Sequence, residues 1–176
     1  MPPPSKRNKT RKNKKQEHHI EHHHLLMRVE TVVCPLQEDK AQMEKMIHEI
    51  VQDVGMKPLG GTEVFYVAEP KYNEGLTAVQ VIQTSHIAFH FWRRPEKHIL
   101  KSSRSNCLLQ MDVYTCGKLT KKQVGIILQA LARFDPTHAD VTLLNRKWSL
   151  NVESHDKWDC GCGLDGSWAE WVRRRF

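Results

Sequence analysis

Three side-chain types with complementary reactivity fall within one window of the chain. A hydroxyl, two imidazoles and a thiol occur in Gln83-Thr84-Ser85-His86-Ile87-Ala88-Phe89-His90-Phe91-Trp92 and in Asp112-Val113-Tyr114-Thr115-Cys116-Gly117. A serine Oγ can attack a carbonyl, an imidazole can carry protons near neutral pH, and a thiol can deliver one to a reacting carbon. Taken alone the signal is modest. Any Ser, His and Cys can share a sheet, and a half-buried histidine is usually structural.

The elements that must position these groups follow from hydrophobic spacing. Leu25 to Cys34 reads as a first strand, ending at Pro35. Asp39 to Val54 carries Met43, Met46, Ile47, Ile50, Val51 and Val54 at helical spacing, with Gly55 as the stop. That stripe belongs to a core rather than to a cofactor box. Thr62 to Ala68 alternates as a strand, and Glu69 to Gly75 is a turn-rich connection. Leu76–Gln83 and His86–Trp92 read as two strands meeting around Thr84-Ser85. A charged loop, Arg93 to Ser105, leads to a strand at Cys107–Thr115. Thr120 caps a second helix through Phe134, Ala139 to Leu150 resembles a final strand, and Trp168, Trp171 and Arg173-Arg174-Arg175 suit a short amphipathic helix. The order predicts an α+β two-layer sandwich, a mainly antiparallel sheet with helices on one face.

Composition limits the function classes. A chain of 176 residues, 39% hydrophobic and 27% charged, is enough for one compact domain. No apolar run of about twenty residues is present to span a bilayer, and the basic start lacks the apolar core of a secretory signal. A cytoplasmic protein without membrane contact is expected. Five cysteines at irregular spacing fit reduced thiols better than a disulfide framework. The net charge of +7 invites a nucleic-acid partner, but Lys6, Arg7, Lys9, Arg11, Lys12, Lys14 and Lys15 equal that whole excess. Residues 1–21 are expected to form a disordered basic, His-rich tail, 22–150 a folded domain, and 151–176 a Trp/Arg-rich extension. His18 to His24 reads as an affinity tag or polar lead-in, and Cys160-Gly161-Cys162 as an ordinary turn, so no metal site is assigned.

The order Ser-His-x-x-x-His-x-Trp followed by Asp-Val-aromatic-Thr-Cys-Gly resembles the S-adenosylmethionine decarboxylase family in its short prokaryotic form. The resemblance extends over most of residues 22–150, with His24-Leu25-Leu26 at the family's opening strand. It implies that Ser85 becomes a pyruvoyl cofactor after cleavage at Thr84–Ser85, that His90 serves processing, and that Cys116 is the proton donor. It further implies that Thr77 stands where a serine assists processing, that Trp92 can stack on an adenine ring, and that the protein is a homodimer. His86 and Asp112 belong to the motif without an assigned role.

The implied chemistry explains the residue types. Ser85 Oγ attacks the Thr84 carbonyl, β-elimination of the resulting ester leaves dehydroalanine, and hydrolysis gives the pyruvoyl group. Its ketone forms a Schiff base with a substrate amine and accepts the electrons left by departing CO₂. The implied product, decarboxylated S-adenosylmethionine, supplies polyamine (spermidine) synthesis.

The chain departs from the family in two places. The residue before the cleaved serine is generally Glu and here is Thr84; only a carbonyl is needed there. The family's Trp-Pro-Glu becomes Trp92-Arg93-Arg94-Pro95-Glu96, leaving Glu96 as the candidate for the ribose-binding acid. The loop that follows carries Arg93, Arg94, Lys97, Lys101 and Arg104. That rim motivates an alternative, the same chemistry on arginine or ornithine. A second alternative is a non-catalytic relative that binds a partner or nucleic acid through the basic tail.

Overall fold

A computed structural model describes residues 21–160 and 166–176. Its strands are β1 (His23–Thr31), β2 (Glu63–Val67), β3 (Gly75–Ile82), β4 (Ser85–Arg93), β5 (Cys107–Thr115), β6 (Pro136–Asn145) and β7 (Asn151–Asp159). The α-helices among the described residues are α1 (Lys40–Asp53), α2 (Lys121–Ala130) and α3 (Trp168–Arg175). One sheet runs in the order β2-β3-β4-β5-β1-β6-β7, every neighbouring pair antiparallel. The expected two-layer α+β architecture is the one adopted.

Alternation along each strand decides which side chains meet the helices. Ile87, Phe89 and Phe91 of β4 and Leu109, Met111 and Val113 of β5 join Met46, Ile47 and Ile50 of α1 and Ile127 and Leu128 of α2 in one core. Phe91 packs against Phe134 with ring centroids 4.8 Å apart and the rings tilted by 60°. The intervening residues His86, His90, Trp92, Gln110, Asp112 and Tyr114 therefore occupy the sheet face that carries no helix. The second helix begins as expected: the Thr120 hydroxyl accepts from the Gln123 N–H in a capping box.

The structure departs from the sequence expectation in several places, among them the first strand, which ends at Thr31, and the second helix, which gives way to a 3-10 turn after Ala130. The first strand begins two residues earlier, so His23 and His24 are sheet residues, and His23 is buried. The expected strand over 139–150 is really β6, and a further strand, β7, follows it. That strand escaped notice because its inward positions include Asp156, a buried acid that is tolerable only because Arg175 of α3 pairs with it. Trp158 of β7 packs against Trp168 and Trp171 of α3, and the Trp168 indole donates to the Leu128 carbonyl at 3.0 Å. Cys34 and Cys107 are bonded in a disulfide, which overturns the expectation of five reduced thiols. The chain leaving β1 folds back beside the start of β5, bringing their Cα atoms to 5.4 Å, a bridging distance. The basic tail, and the CxC segment beyond Cys160, lie outside the described residues. Among the described residues no helix is long and apolar enough to cross a membrane.

A buried carboxylate holds the long β4–β5 loop. Glu30 is 0% exposed and accepts from Arg28 at 2.8 Å, the Lys101 and Ser102 N–H groups at 2.9 and 3.0 Å, and the Ser105 hydroxyl at 3.0 Å. Burial pushes its pKa up, but these donors outweigh burial and hold it below the ordinary glutamate value. A carboxyl depressed in the fold contributes stability above its unfolded pKa, and that contribution fades as pH falls through the folded value. Urea unfolding below about pH 4.5 should therefore show a loss of stability that Glu30→Gln lacks. At neutral pH the same variant should be less stable by about 2–3 kcal/mol, because buried donors lose a charged acceptor.

Candidate active site

The β3–β4 hairpin turns on two residues, because Ile82 and Ser85 are register partners. Two-residue turns favour residues that accept positive φ, and neither Gln83 nor Thr84 is of that kind. The positive φ falls on Ser85, at 151°. A residue with a Cβ is strained there by on the order of 1–3 kcal/mol. Adjacent to it the Thr84 carbonyl accepts from the Cys116 N–H at 2.9 Å. The Thr84 hydroxyl accepts from Thr115 Oγ1 at 3.2 Å, and Thr115 Oγ1 accepts from the Gly117 N–H at 3.0 Å. Thr84, Ser85 and Cys116 are thus brought together, with an amide donor on the oxygen that would gain charge if Ser85 Oγ attacked. The Cys116 thiol is exposed.

A polar chain extends from Ser85 across the helix-free face. Ser85 Oγ lies 3.3 Å from His86 Nδ1, and His86 Nε2 lies 3.0 Å from Asp112 Oδ2. The same carboxylate oxygen is 3.3 Å from His24 Nε2, whose Nδ1 faces Arg146 Nη1 at 3.1 Å. Burial lowers the His24 pKa despite the opposing pull of Asp112, so the ring is held neutral. Tyr114 packs beneath the Arg146 guanidinium at 4.7 Å, and its hydroxyl is 3.0 Å from His22 Nδ1.

Thr77 and His90 form a separate pair, with Thr77 Oγ1 2.9 Å from His90 Nδ1. His90 also leans on the Trp92 ring at 5.5 Å, and the Trp92 indole donates to Asn73 Oδ1 at 3.2 Å. Trp92 and Glu96 line one hollow of approximately 270 Å³, with Tyr72, Arg94, Ile99 and Leu108. The two-residue insertion therefore still brings an acid to the hollow beside Trp92. Glu96 is exposed and lies 3.3 Å from His98. His90 is five residues along β4 from Ser85, about 16 Å at roughly 3.3 Å per residue. Within one chain the two do not meet.

The cations of the loop are largely engaged. Arg93 pairs with Glu74 at 2.9 Å, Lys101 with Asp140 at 3.7 Å and Arg104 with Asp135 at 3.4 Å. Sequence reasoning missed His22, His24, Tyr114 and Arg146. The signal for His24 and Asp112 was available: each stands one residue from an inward neighbour, Leu25 or Val113, and the strand's alternation sends both to the face of His86.

Residues 23–147 match the family model described as S-adenosylmethionine decarboxylase, which makes the chain a decarboxylase-type enzyme. The chain belongs to the S-adenosylmethionine decarboxylase family, a family that uses a pyruvoyl group. A search of curated proteins returns no match. The residues present fit such a group, since a serine at positive φ follows a carbonyl that already has an amide donor.

Strain at position 85 is directly measurable. Neither Ser85→Gly nor Ser85→Ala carries a hydroxyl, so comparing them isolates the backbone. Glycine relieves the positive φ but costs about 0.4–1 kcal/mol through the unfolded chain. We expect Ser85→Gly to be the more stable by about 1 kcal/mol in denaturant unfolding; equal stabilities would remove the strain.

Proposed function

We propose that the chain cleaves itself between Thr84 and Ser85 and uses the resulting pyruvoyl terminus to decarboxylate S-adenosylmethionine. The observation that carries this reading is the Thr84 carbonyl, bound by the Cys116 N–H and followed by a serine at positive φ. Ser85 Oγ attacks that carbonyl, the Thr84–Ser85 C–N bond breaks, and an ester joins the two halves. Loss of the Ser85 Cα proton expels the Thr84 carboxylate, and water converts the dehydroalanine to the ketone with release of ammonia. Once formed, the pyruvoyl group supplies an electron sink for the carboxylate's departure. Cys116, one residue beyond the partner of Ser85 on β5, is exposed at that end of the sheet and holds the proton for the substrate carbon.

The separation of His90 from Ser85 favours a dimer. Two helix-free faces packed antiparallel would carry His90 of the partner subunit toward Ser85. Exposed apolar residues on that face, Phe65 at 54%, Val81 at 50% and Leu26 at 37%, suit such burial. Thr77 orients His90 for the Cα proton, and Trp92 with Glu96 receives the nucleoside end of the substrate. With the loop cations paired to Glu74, Asp140 and Asp135, little supports a rim tuned to arginine or ornithine.

Purified protein should yield fragments 1–84 and 85–176 on a denaturing gel, the second with a blocked amino terminus by mass spectrometry. Ser85→Ala should stay whole. CO₂ release from S-adenosylmethionine should exceed that from arginine or ornithine by at least about 10³-fold, the loss expected when a site's polar groups go unpaired. Co-expressed Ser85→Ala and His90→Ala chains should regain cleavage that neither shows alone. An unbroken wild type with an ordinary serine at 85 would overturn the reading.

A further inference from the structure

We propose that His86 is the base that takes the Ser85 Oγ proton when self-cleavage begins, that Asp112 holds it in the required tautomer, and that His24, oriented by Arg146, steadies the Asp112 carboxylate. This rests on the self-cleavage reading above. The argument is one of hydrogen-bond direction. A guanidinium has donors only, so His24 Nδ1, 3.1 Å from Arg146 Nη1, is an acceptor. The proton of neutral His24 then sits on Nε2 and points at Asp112 Oδ2, 3.3 Å away. The carboxylate accepts only, so His86 also directs Nε2–H toward that oxygen, at 3.0 Å. This leaves His86 Nδ1 with a free lone pair 3.3 Å from Ser85 Oγ. Every bond in the series agrees with every other.

Arg146 can orient His24 because it is itself fixed. Its N–H donates to the His22 carbonyl, and its guanidinium lies over Tyr114. The groups that face His86 are Ser85, Asp112, His24 across the shared Asp112 oxygen, and Tyr114, whose ring centroid is 6.0 Å from the imidazole. On β3 its register partner is Val81, which cannot compete for a proton. Asp112 and His24 touch no reacting atom and are positioning residues; His86 contacts the nucleophile.

The step balances without a co-reactant. The Oγ proton passes to His86 Nδ1 as the bond from Oγ to the Thr84 carbonyl carbon forms. The oxyanion is met by the Cys116 N–H. The C–N bond then breaks and the same proton passes from Nδ1 to the Ser85 nitrogen, which leaves as the amine. His86 ends as it started. His90 has no part in this step and remains available for the Cα proton.

The test follows cleavage of freshly folded full-length chain between about pH 5 and 8. Wild-type cleavage should speed up as pH rises. His86→Gln retains an amide donor toward Asp112 but has no base, and should slow cleavage by about 100-fold or more and flatten that pH dependence. Asp112→Asn, which can direct the imidazole into the wrong tautomer, should slow cleavage and shift the pH profile, with Asp112→Glu recovering part of the rate. If wild type divides and His86→Gln divides at the same rate with the same pH profile, His86 is not the base and self-cleavage stands. If His86→Gln fails to fold by circular dichroism, an unchanged rate and profile in folded Asp112→Asn overturns the proposal instead. A wild type that never divides removes both readings together.

Discussion

The register of β4 against β5 is the constraint on which the rest depends. Pairing Ser85 with Thr115 puts the Cys116 N–H on the Thr84 carbonyl and aligns His86 with Tyr114 and Ala88 with Asp112. A slip of one residue would send His86 and His90 into the core and Phe89 and Phe91 into solvent. The cost of exposing two buried aromatic rings, about 1.5–3 kcal/mol each, is what forbids the slip. The apolar half of the sheet thus fixes the reactive half, although the two share no side chain. The same pairing continues into β1, where Leu26 opposite Asp112 leaves the neighbouring His24 close enough to reach the carboxylate diagonally.

Charge is distributed so that the site sits among paired groups. Glu30 is satisfied by Arg28 and by loop amides, Asp156 by Arg175, and the loop cations by acids on neighbouring elements. Left without partners, the buried Glu30 and Asp156 would cost several kcal/mol, so their pairing is a condition of folding, whereas the exposed loop pairs contribute little. Pairing also keeps the rim of the Trp92 hollow from becoming a strongly cationic surface. The bulk of the net positive charge is instead carried by the segment Ser5–Lys15, outside the described residues.

Much of this was legible in the sequence because it depends on periodicity and local caps. The stripe Met43, Met46, Ile47, Ile50 and the Thr120 cap each report an element from within a few residues. The meeting of two strands at Thr84-Ser85 was legible for the same reason. What escaped depends on residues distant in sequence. β7 reads as polar because Asp156 faces inward toward an arginine in another element. His22–His24 read as a tag because nothing nearby says that Tyr114 and Asp112 wait across the sheet. The hydroxyl, imidazole and thiol of the motif were visible as a set, yet their division into a Ser85–Cys116 end and a Thr77–His90 end required the strand's length.

For the self-cleavage we propose, the side chain of Thr84 has a physical consequence. Its hydroxyl ties the turn to Thr115, so the Thr84 carbonyl is fixed from its own side chain as well as by the Cys116 amide. A carbonyl held at two points leaves the accommodation of the tight turn to the next residue, where the positive φ lies. That torsion is about the Ser85 N–Cα bond, and in the proposed reaction the nitrogen would be lost as the ketone forms. The strain therefore belongs to the intact chain and has no counterpart in the cleaved one. A site that contributes nothing to later turnover through this torsion can still use it once, to favour the first bond rearrangement over the peptide at rest.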